Sequence, residues 1–321
     1  MKDFNGKLAV VTGGGSGIGR ELTVQLAAAG CDVAACDIFA DSLAETAAMC
    51  SDAVRVTTHQ CDVVDEAQVL AFRDAVVEQH EAECIHLLFN NAGIGSPVAF
   101  IDGDREEWER VFGVCWYGVY YCARAFIPLL VASDEACLVN TSSINGFWAS
   151  LGPTVPHTPY CAAKFAVKGF SEALITDLRV HAPHVKVALV MPGHIGTSIA
   201  INSSRVLGAP EPAELSAEQV AEIRGQMVVA GLPVGNESDD HIRAAVAQQR
   251  ADFRDNAPTT PARAASIILD GVRQERWRIL VGADAHIVDE LVREDPEGAY
   301  DLDFLGKILQ RGALGELTEQ P

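Results

Sequence analysis

The sequence is short of positive charge. Its 321 residues carry 24 Lys and Arg against 44 Asp and Glu, a formal net charge of −20. A chain this acidic offers no basic stripe for a nucleic-acid backbone or an anionic membrane surface, so neither partner is expected. Paired cysteine spacing is also missing. The nine cysteines, Cys31, Cys36, Cys50, Cys61, Cys84, Cys115, Cys122, Cys137 and Cys161, contain no C-x-x-C and are odd in number. Most sit in apolar runs, which reads as reduced, packed thiols of a cytoplasmic protein rather than a disulfide framework or a zinc site. No metal is expected. Long hydrophobic runs are absent too: stretches such as 126–132 are well short of a membrane span, and the opening MKDFNGKLAVV leads into a glycine-rich turn instead of a signal-peptide core. What remains, 49% hydrophobic and 21% charged residues, is an ordinary globular composition with ample chain for a large core.

That composition is distributed in an alternating pattern. Short apolar runs at 8–11, 33–36, 54–60, 85–89, 137–141, 185–190 and 278–281 are interleaved with helical patterns at 20–29, 42–49, 66–79, 106–131, 159–180 and 261–274. Such alternation predicts an α/β fold, a seven-stranded parallel sheet with helices on both faces. The segment 198–258 breaks the rhythm with Pro210, Pro212, Pro233, several glycines and helical patterns at 217–229 and 239–253. It leaves the carboxyl end of a strand, where α/β sheets bind ligands, so a helical lid is expected rather than a surface excursion. The helix and strand after it rejoin the sheet pattern, which makes it an insertion within one domain spanning 1–321. Residues 290–321 read as an acidic, peripheral tail.

Two ends of this sheet carry chemistry. After the first run comes TGGGSGIG, with Gly13, Ser16, Gly17, Ile18 and Gly19 at the start of a helix. Glycine lets backbone approach a diphosphate, and the helix N-terminus presents free N–H groups to it. No Lys-Ser or Lys-Thr follows, so this is not a P-loop. Asp37 ends the second run, 18 residues after Gly19. A carboxylate there can accept hydrogen bonds from adenosine ribose hydroxyls and repels a 2′-phosphate, with no Arg or Lys expected close by. This favours NAD over NADP as cofactor. Asp62 and Val63 follow the third run, either as a helix cap or as an adenine contact. Tyr160 and Lys164 lie four apart on a predicted helix and so share a face. An ammonium beside a phenol lowers its pKa, which suits Tyr160 to proton exchange with an alcohol or carbonyl.

Taken with Asn90-Asn91-Ala92-Gly93, Ser143 and Pro192-Gly193, these pieces stand in the order and placement found in the short-chain dehydrogenase/reductase family. The chain resembles its compact subgroup over about 8–197 and again over 261–281. The resemblance implies a doubly wound Rossmann-type sheet and NAD(P)-dependent interconversion of alcohols and carbonyls. It further implies Tyr160 as general acid/base, Ser143 as the group orienting the substrate oxygen, and Lys164 as a partner of the nicotinamide ribose. Asn90, Ala92 and Gly93 would line the adenosine side, and Pro192, Gly193, Ile195 and Thr197 the nicotinamide end. A small-molecule alcohol or ketone is the implied substrate, to which the apolar residues near the site add an expected lipophilic character, and a homodimer or homotetramer is the implied assembly, built on the helices near 106–131 and 159–180. Two departures stand out. Cys115 occupies the place of an expected Asn, and 17 residues separate Ser143 from Tyr160, a few more than usual. In that added stretch His157 is either a substrate contact or a solvated loop residue. Phe147, Trp148 and Trp116 are candidate pocket walls or core residues.

Overall fold

Seven runs of mostly β-branched and aliphatic residues form strands in the computed structural model, which describes residues 1–152, 155–229 and 232–312. They are β1 (Leu8–Thr12), β2 (Asp32–Asp37), β3 (Val56–Gln60), β4 (Leu87–Asn90), β5 (Ala136–Thr141), β6 (Val185–Pro192) and β7 (Arg278–Val281). All pair in parallel, in the order β3-β2-β1-β4-β5-β6-β7. The predicted doubly wound sheet is therefore present. The chain reverses direction of travel between β1 and β4, and a crevice opens beyond their carboxyl ends.

Alternating side chains split the core into two layers. Val10, Ala34, Leu88 and Leu138 face α3 (Glu66–His80), α5 (Gly118–Val131) and α6 (Thr158–His181), meeting Phe72, Phe126 and Leu178. Val11, Val33, Phe89 and Val139 face the other way, onto Leu22 and Leu26 of α1 (Gly17–Ala28) and Ile268 and Leu269 of α10 (Pro261–Arg273). Each fully buried Leu or Phe here contributes about 1.5–3 kcal/mol of transfer free energy. The remaining helices are α2 (Ala40–Ala48), α4 (Arg105–Phe112), α7 (Ile199–Val206), α8 (Ala217–Val229), α9 (Asp239–Asp255), α11 (Ala283–Glu294) and α12 (Phe304–Gln310).

The long helix expected at 106–131 is broken into α4, a π-helical turn at Gly113–Tyr117, and α5. Glycine flanks the turn for a steric reason: a Cβ on Gly118 would lie 2.6 Å from Val63. The stretch Arg105–Val131 is long and apolar enough to cross a membrane by length and composition alone, but half of its most apolar window is buried against the fold. The tail is corrected as well. Val288, Leu291, Ala299, Phe304 and Ile308 form a cluster around Trp148, whose Nε1 donates to the Ala299 carbonyl at 2.8 Å. The acidic residues that made this stretch read as peripheral, Glu290, Glu294, Asp295, Glu297, Asp301 and Asp303, are exposed at the end of α11 and in the connection to α12. Residues 313–321 lie outside the described residues.

Candidate active site

The glycine-rich turn is held open by the strands beneath it. Gly13 has φ +68°, a conformation costly for any residue with a side chain, and a Cβ there would come within 2.9 Å of Ala92. Gly14 N–H donates to the Cys36 carbonyl at 2.9 Å and Gly15 N–H to Asp37 Oδ2 at 3.0 Å. Ser16 does not cap α1, and the first turn carries no acidic residue. The N–H groups at this helix start are left for an anion, and Gly13, Ser16, Gly17 and Ile18 line the crevice. Backbone donors within a cradle that a Cβ would fill suit the diphosphate of a dinucleotide. Gly19 does not reach the crevice. A methyl group there would collide with the Gly13 carbonyl, so its role is to let α1 sit against the turn.

Asp37 is fixed by two backbone donors, Gly15 and Phe39, the latter at 3.1 Å. Burial raises its pKa, opposed by the N–H groups of Phe39, Gly15 and Ile38 and by Arg20. The expectation of no nearby cation is thus corrected. Arg20 sits one turn into α1, out of reach in sequence but close in space. Its donors go to the Gly15 carbonyl at 2.6 Å, Thr46 Oγ1 at 3.0 Å, and Glu45 at 2.8 Å. Val63 lines the crevice. Asp62 does not; it pairs with Arg110 at 2.7 Å, and Arg110 lines the crevice in its place. The cap of α3 is Asp65, which accepts from Ala67 and Gln68.

The NNAG loop shows the same alternation at residue level. Ala92 and Gly93 line the crevice, and so does Asn91. Asn90, the last residue of β4, points into the sheet layer, where its Nδ2 donates to Asn140 Oδ1 at 2.8 Å and Asn140 donates to Ser171. Thr12 ties this loop to β1: its Oγ1 accepts from the N–H groups of both Asn91 and Ala92 at 3.0 Å. The sequence pattern assigns no role to Thr12 or Asn91.

At the other end, Ser143, Tyr160 and Lys164 come together on one wall of the crevice. Ser143 follows β5 with extended backbone, and its Oγ accepts from Asn145 N–H at 3.1 Å. That leaves its O–H to donate, and in the protein alone its partner is the Tyr160 oxygen. Lys164 Nζ donates to the Thr141 carbonyl at 2.9 Å and lies 5.3 Å from the Tyr160 ring centroid. Burial is the largest influence on both groups. It raises the Tyr160 phenol, against the lowering effect of the Ser143 hydroxyl, and it lowers the Lys164 ammonium. Within the protein alone, the anticipated depression of the Tyr160 pKa by Lys164 is therefore overridden. The Lys164 charge is drawn to a backbone carbonyl while the phenol loses water.

Pro192, Gly193, Ile195 and Thr197 all line the crevice. Gly193 is required because a Cβ would run into the Asp284 carboxylate. Asp284, 2% exposed, also accepts from His194 N–H at 2.5 Å. The two lips approach closely where a Cβ on Gly17 would lie 3.0 Å from Thr197. The segment after Thr197 bridges them. In α7, Asn202 donates to Ser16 Oγ at 3.0 Å, Ser203 Oγ accepts from Gly95 N–H at 2.9 Å, and Arg205 lies 4.3 Å over the Phe39 ring. Ile199, Asn202 and Val206 join the lining, as does Phe253 of α9. The sequence pattern misses α7, whose polar Asn-Ser-Ser centre hides its helical character. The candidate walls fare differently. Trp148 is consumed by the cluster with α11 and α12, and Trp116 packs on Phe170. Phe147 lies between the same clusters. Cys115 is buried in the π-helical turn and donates to the Ile94 carbonyl at 3.1 Å. The nine cysteines are all free thiols, and among the described residues no cluster of metal-binding side chains occurs.

Known proteins share this arrangement. Residues 7–207 match the family described as short chain dehydrogenase. The SadH protein of Mycobacterium tuberculosis is 34% identical over 296 residues, covering 91% of this chain and 92% of its own. Human epidermal retinol dehydrogenase 2 is 32% identical over 201 residues, 62% of this chain and 63% of its own. A short-chain dehydrogenase/reductase from Burkholderia phymatum, solved in complex with NAD, superimposes with a TM-score of 0.72 at 29% identity, covering 92% of this chain and 96% of that one. The crevice at the sheet's reversal and the serine, tyrosine and lysine on its wall agree with that likeness, and the chain belongs to the short-chain dehydrogenase/reductase family, whose enzymes are NAD(P)-dependent oxidoreductases.

Proposed function

We propose that this enzyme uses NAD to interconvert a lipophilic secondary alcohol and its carbonyl. The observation that carries the reading is the placement of Ser143, Tyr160 and Lys164 on the same crevice as the glycine turn and Asp37. A bound nicotinamide cofactor supplies the acceptor or donor of hydride. The chain's own groups handle the substrate oxygen and its proton. The Ser143 O–H donates to that oxygen and fixes its position. Tyr160, neutral like any phenol below its ordinary pKa, is in the form that donates a proton when a carbonyl is reduced, and it takes the proton back in the oxidation. Lys164 would contact the nicotinamide ribose, and Pro192, Gly193, Ile195 and Thr197 would hold the carboxamide end. Ile94, Val114, Ile195, Val206 and Phe253 give the crevice apolar walls that favour a lipophilic substrate and exclude water. The name of the human retinol dehydrogenase relative is in keeping with this class. The segment 198–258 acts as the cover of the site, with α7 as its fastened edge.

Asp37 supports NAD over NADP. Its carboxylate faces the ribose end, and the nearest cation, Arg20, has its donors committed to Gly15, Thr46 and Glu45. Initial rates with the two cofactors should give NAD the lower KM and the higher turnover. Asp37→Ala should erode that preference by about tenfold, the loss of one or two hydrogen bonds to a charged group. A higher kcat/KM with NADP in the unmodified enzyme would overturn the assignment and favour the NADP-linked alternative, to which the proximity of Arg20 lends its support.

Self-association is part of the same proposal, on the two helical stretches the sequence suggested but through their exposed residues. Phe126, Leu130, Val167 and Leu174 are consumed by the protomer's own core. A strip of aromatics along α4 and α5 remains: Trp108, Phe112, Tyr117 and Tyr121 stack or meet edge-on in succession. Tyr117 is 44% exposed and Phe165 on α6 40%. Light scattering should report a multiple of 34.2 kDa, and a 34.2 kDa particle at micromolar concentration refutes the proposal.

A further inference from the structure

His157 takes no part in the chemistry above. It precedes Tyr160 by one helical turn at the head of α6, and its ring stacks on the Tyr160 ring with centroids 4.6 Å apart and planes 28° from parallel. Nδ1 lies 2.7 Å from the Ser96 carbonyl. A carbonyl oxygen only accepts, so Nδ1 carries the proton. Burial also holds the ring below its ordinary pKa, away from the cation. A neutral imidazole in this tautomer keeps one lone pair, on Nε2. That nitrogen has no hydrogen-bond partner among the described residues and is not a sealed, orphaned atom.

The surroundings hold the ring still. Ser96 Oγ donates to Glu107, and Trp108 Nε1 donates to Thr158 Oγ1 at 3.1 Å, fastening the loop and the start of α6 to α4. Gly95, bound through its N–H to Ser203 of α7, passes beside the imidazole. A Cβ there would sit 3.6 Å from His157 Cε1 and 4.0 Å from Nε2. The Nε2 atom therefore lies close to Gly95 and beside the ring of Tyr160, and Tyr160 lines the crevice.

We propose that His157 is a specificity-determining residue whose Nε2 accepts a hydrogen bond from a hydroxyl on the substrate, one or two carbons from the reacting centre. The inference rests on the proposed alcohol–carbonyl chemistry and deepens it: the preferred substrates are hydroxy ketones and the corresponding diols. A carboxylate or phosphate at the same place would meet a lone pair and is disfavoured.

A matched pair of probes tests this, phenyl methyl ketone and its α-hydroxy derivative, reduced with NADH by the full-length enzyme. The expected result is a kcat/KM at least tenfold higher for the hydroxy ketone. His157→Phe keeps a ring on Tyr160 but has no acceptor. It should abolish the preference through KM, with kcat and the Kd for NADH unchanged. His157→Gln, which retains an acceptor, should restore part of it. Equal wild-type kcat/KM for the two probes overturns the proposal, and so does a His157→Phe enzyme whose kcat falls alike for both, which would make His157 a support for Tyr160. Failure of the wild type to reduce either ketone with NADH or NADPH overturns the alcohol–carbonyl reading itself, and this inference with it.

Discussion

Tyr160→Phe should lower kcat by about 10²- to 10⁴-fold, the range by which a positioned acid or base accelerates proton transfer, while NAD binding stays intact. The substitution removes one hydroxyl and keeps the ring. The ring packs between His157 and the Lys164 side, and both contacts persist in Phe. Neither the glycine turn nor Asp37 touches the phenol oxygen, so the nucleotide end has no reason to change. The measurement is a pair: progress curves of NADH absorbance for turnover, and a fluorescence titration with NADH for binding. Turnover within about tenfold of the unmodified enzyme corresponds to ~1.4 kcal/mol of transition-state stabilisation, too little for the residue that moves the proton. Such a result would transfer the role to another donor, and Ser143 is the nearest candidate.

The site was legible to the degree that backbone geometry alone determined it. Glycines at a strand-to-helix turn and a carboxylate at the next strand end are demands of the fold, and they stand where the pattern put them. Asn90 and Asn91 show the limit. Consecutive residues at a strand end face opposite sides of a sheet, and a one-residue error in phase exchanged a buried partner of Asn140 for the residue that lines the crevice. Long-range partners were not legible at all. Arg20 beside Asp37, Arg110 on Asp62 and Asp284 behind Gly193 depend on how elements separated by up to 91 positions pack. The sign of the Tyr160 pKa shift failed for a related reason. Spacing placed a cation near a phenol, but burial and the competing Thr141 carbonyl are tertiary properties. The helices α7 and α12, of eight and seven residues, were missed because short elements leave too few turns for a periodic signal.

Two glycines separate these structural demands from mere composition. Gly19 is the third residue of α1, and a methyl group there would strike the Gly13 carbonyl and crowd Asn91 Nδ2 to 2.6 Å. A backbone oxygen in a tight turn has no rotamer into which it can retreat. Gly19→Ala must therefore push α1 away from the turn, at a cost of about 1–3 kcal/mol for overpacking. The same displacement tilts the free N–H groups of Gly17 and Ile18 away from the diphosphate position. We expect a lower denaturant midpoint with an unchanged slope, together with at least a tenfold rise in the KM for NAD. Gly169 is the counterpart, exposed within α6, where an added methyl group would meet nothing within 4 Å. Gly169→Ala should leave the KM alone and stabilise the protein by up to ~1 kcal/mol, the difference in helix propensity. If Gly19→Ala keeps both its midpoint and its affinity for NAD, then the close contact of α1 with the turn does not position the dinucleotide, and the binding of the diphosphate at that helix start has to be abandoned.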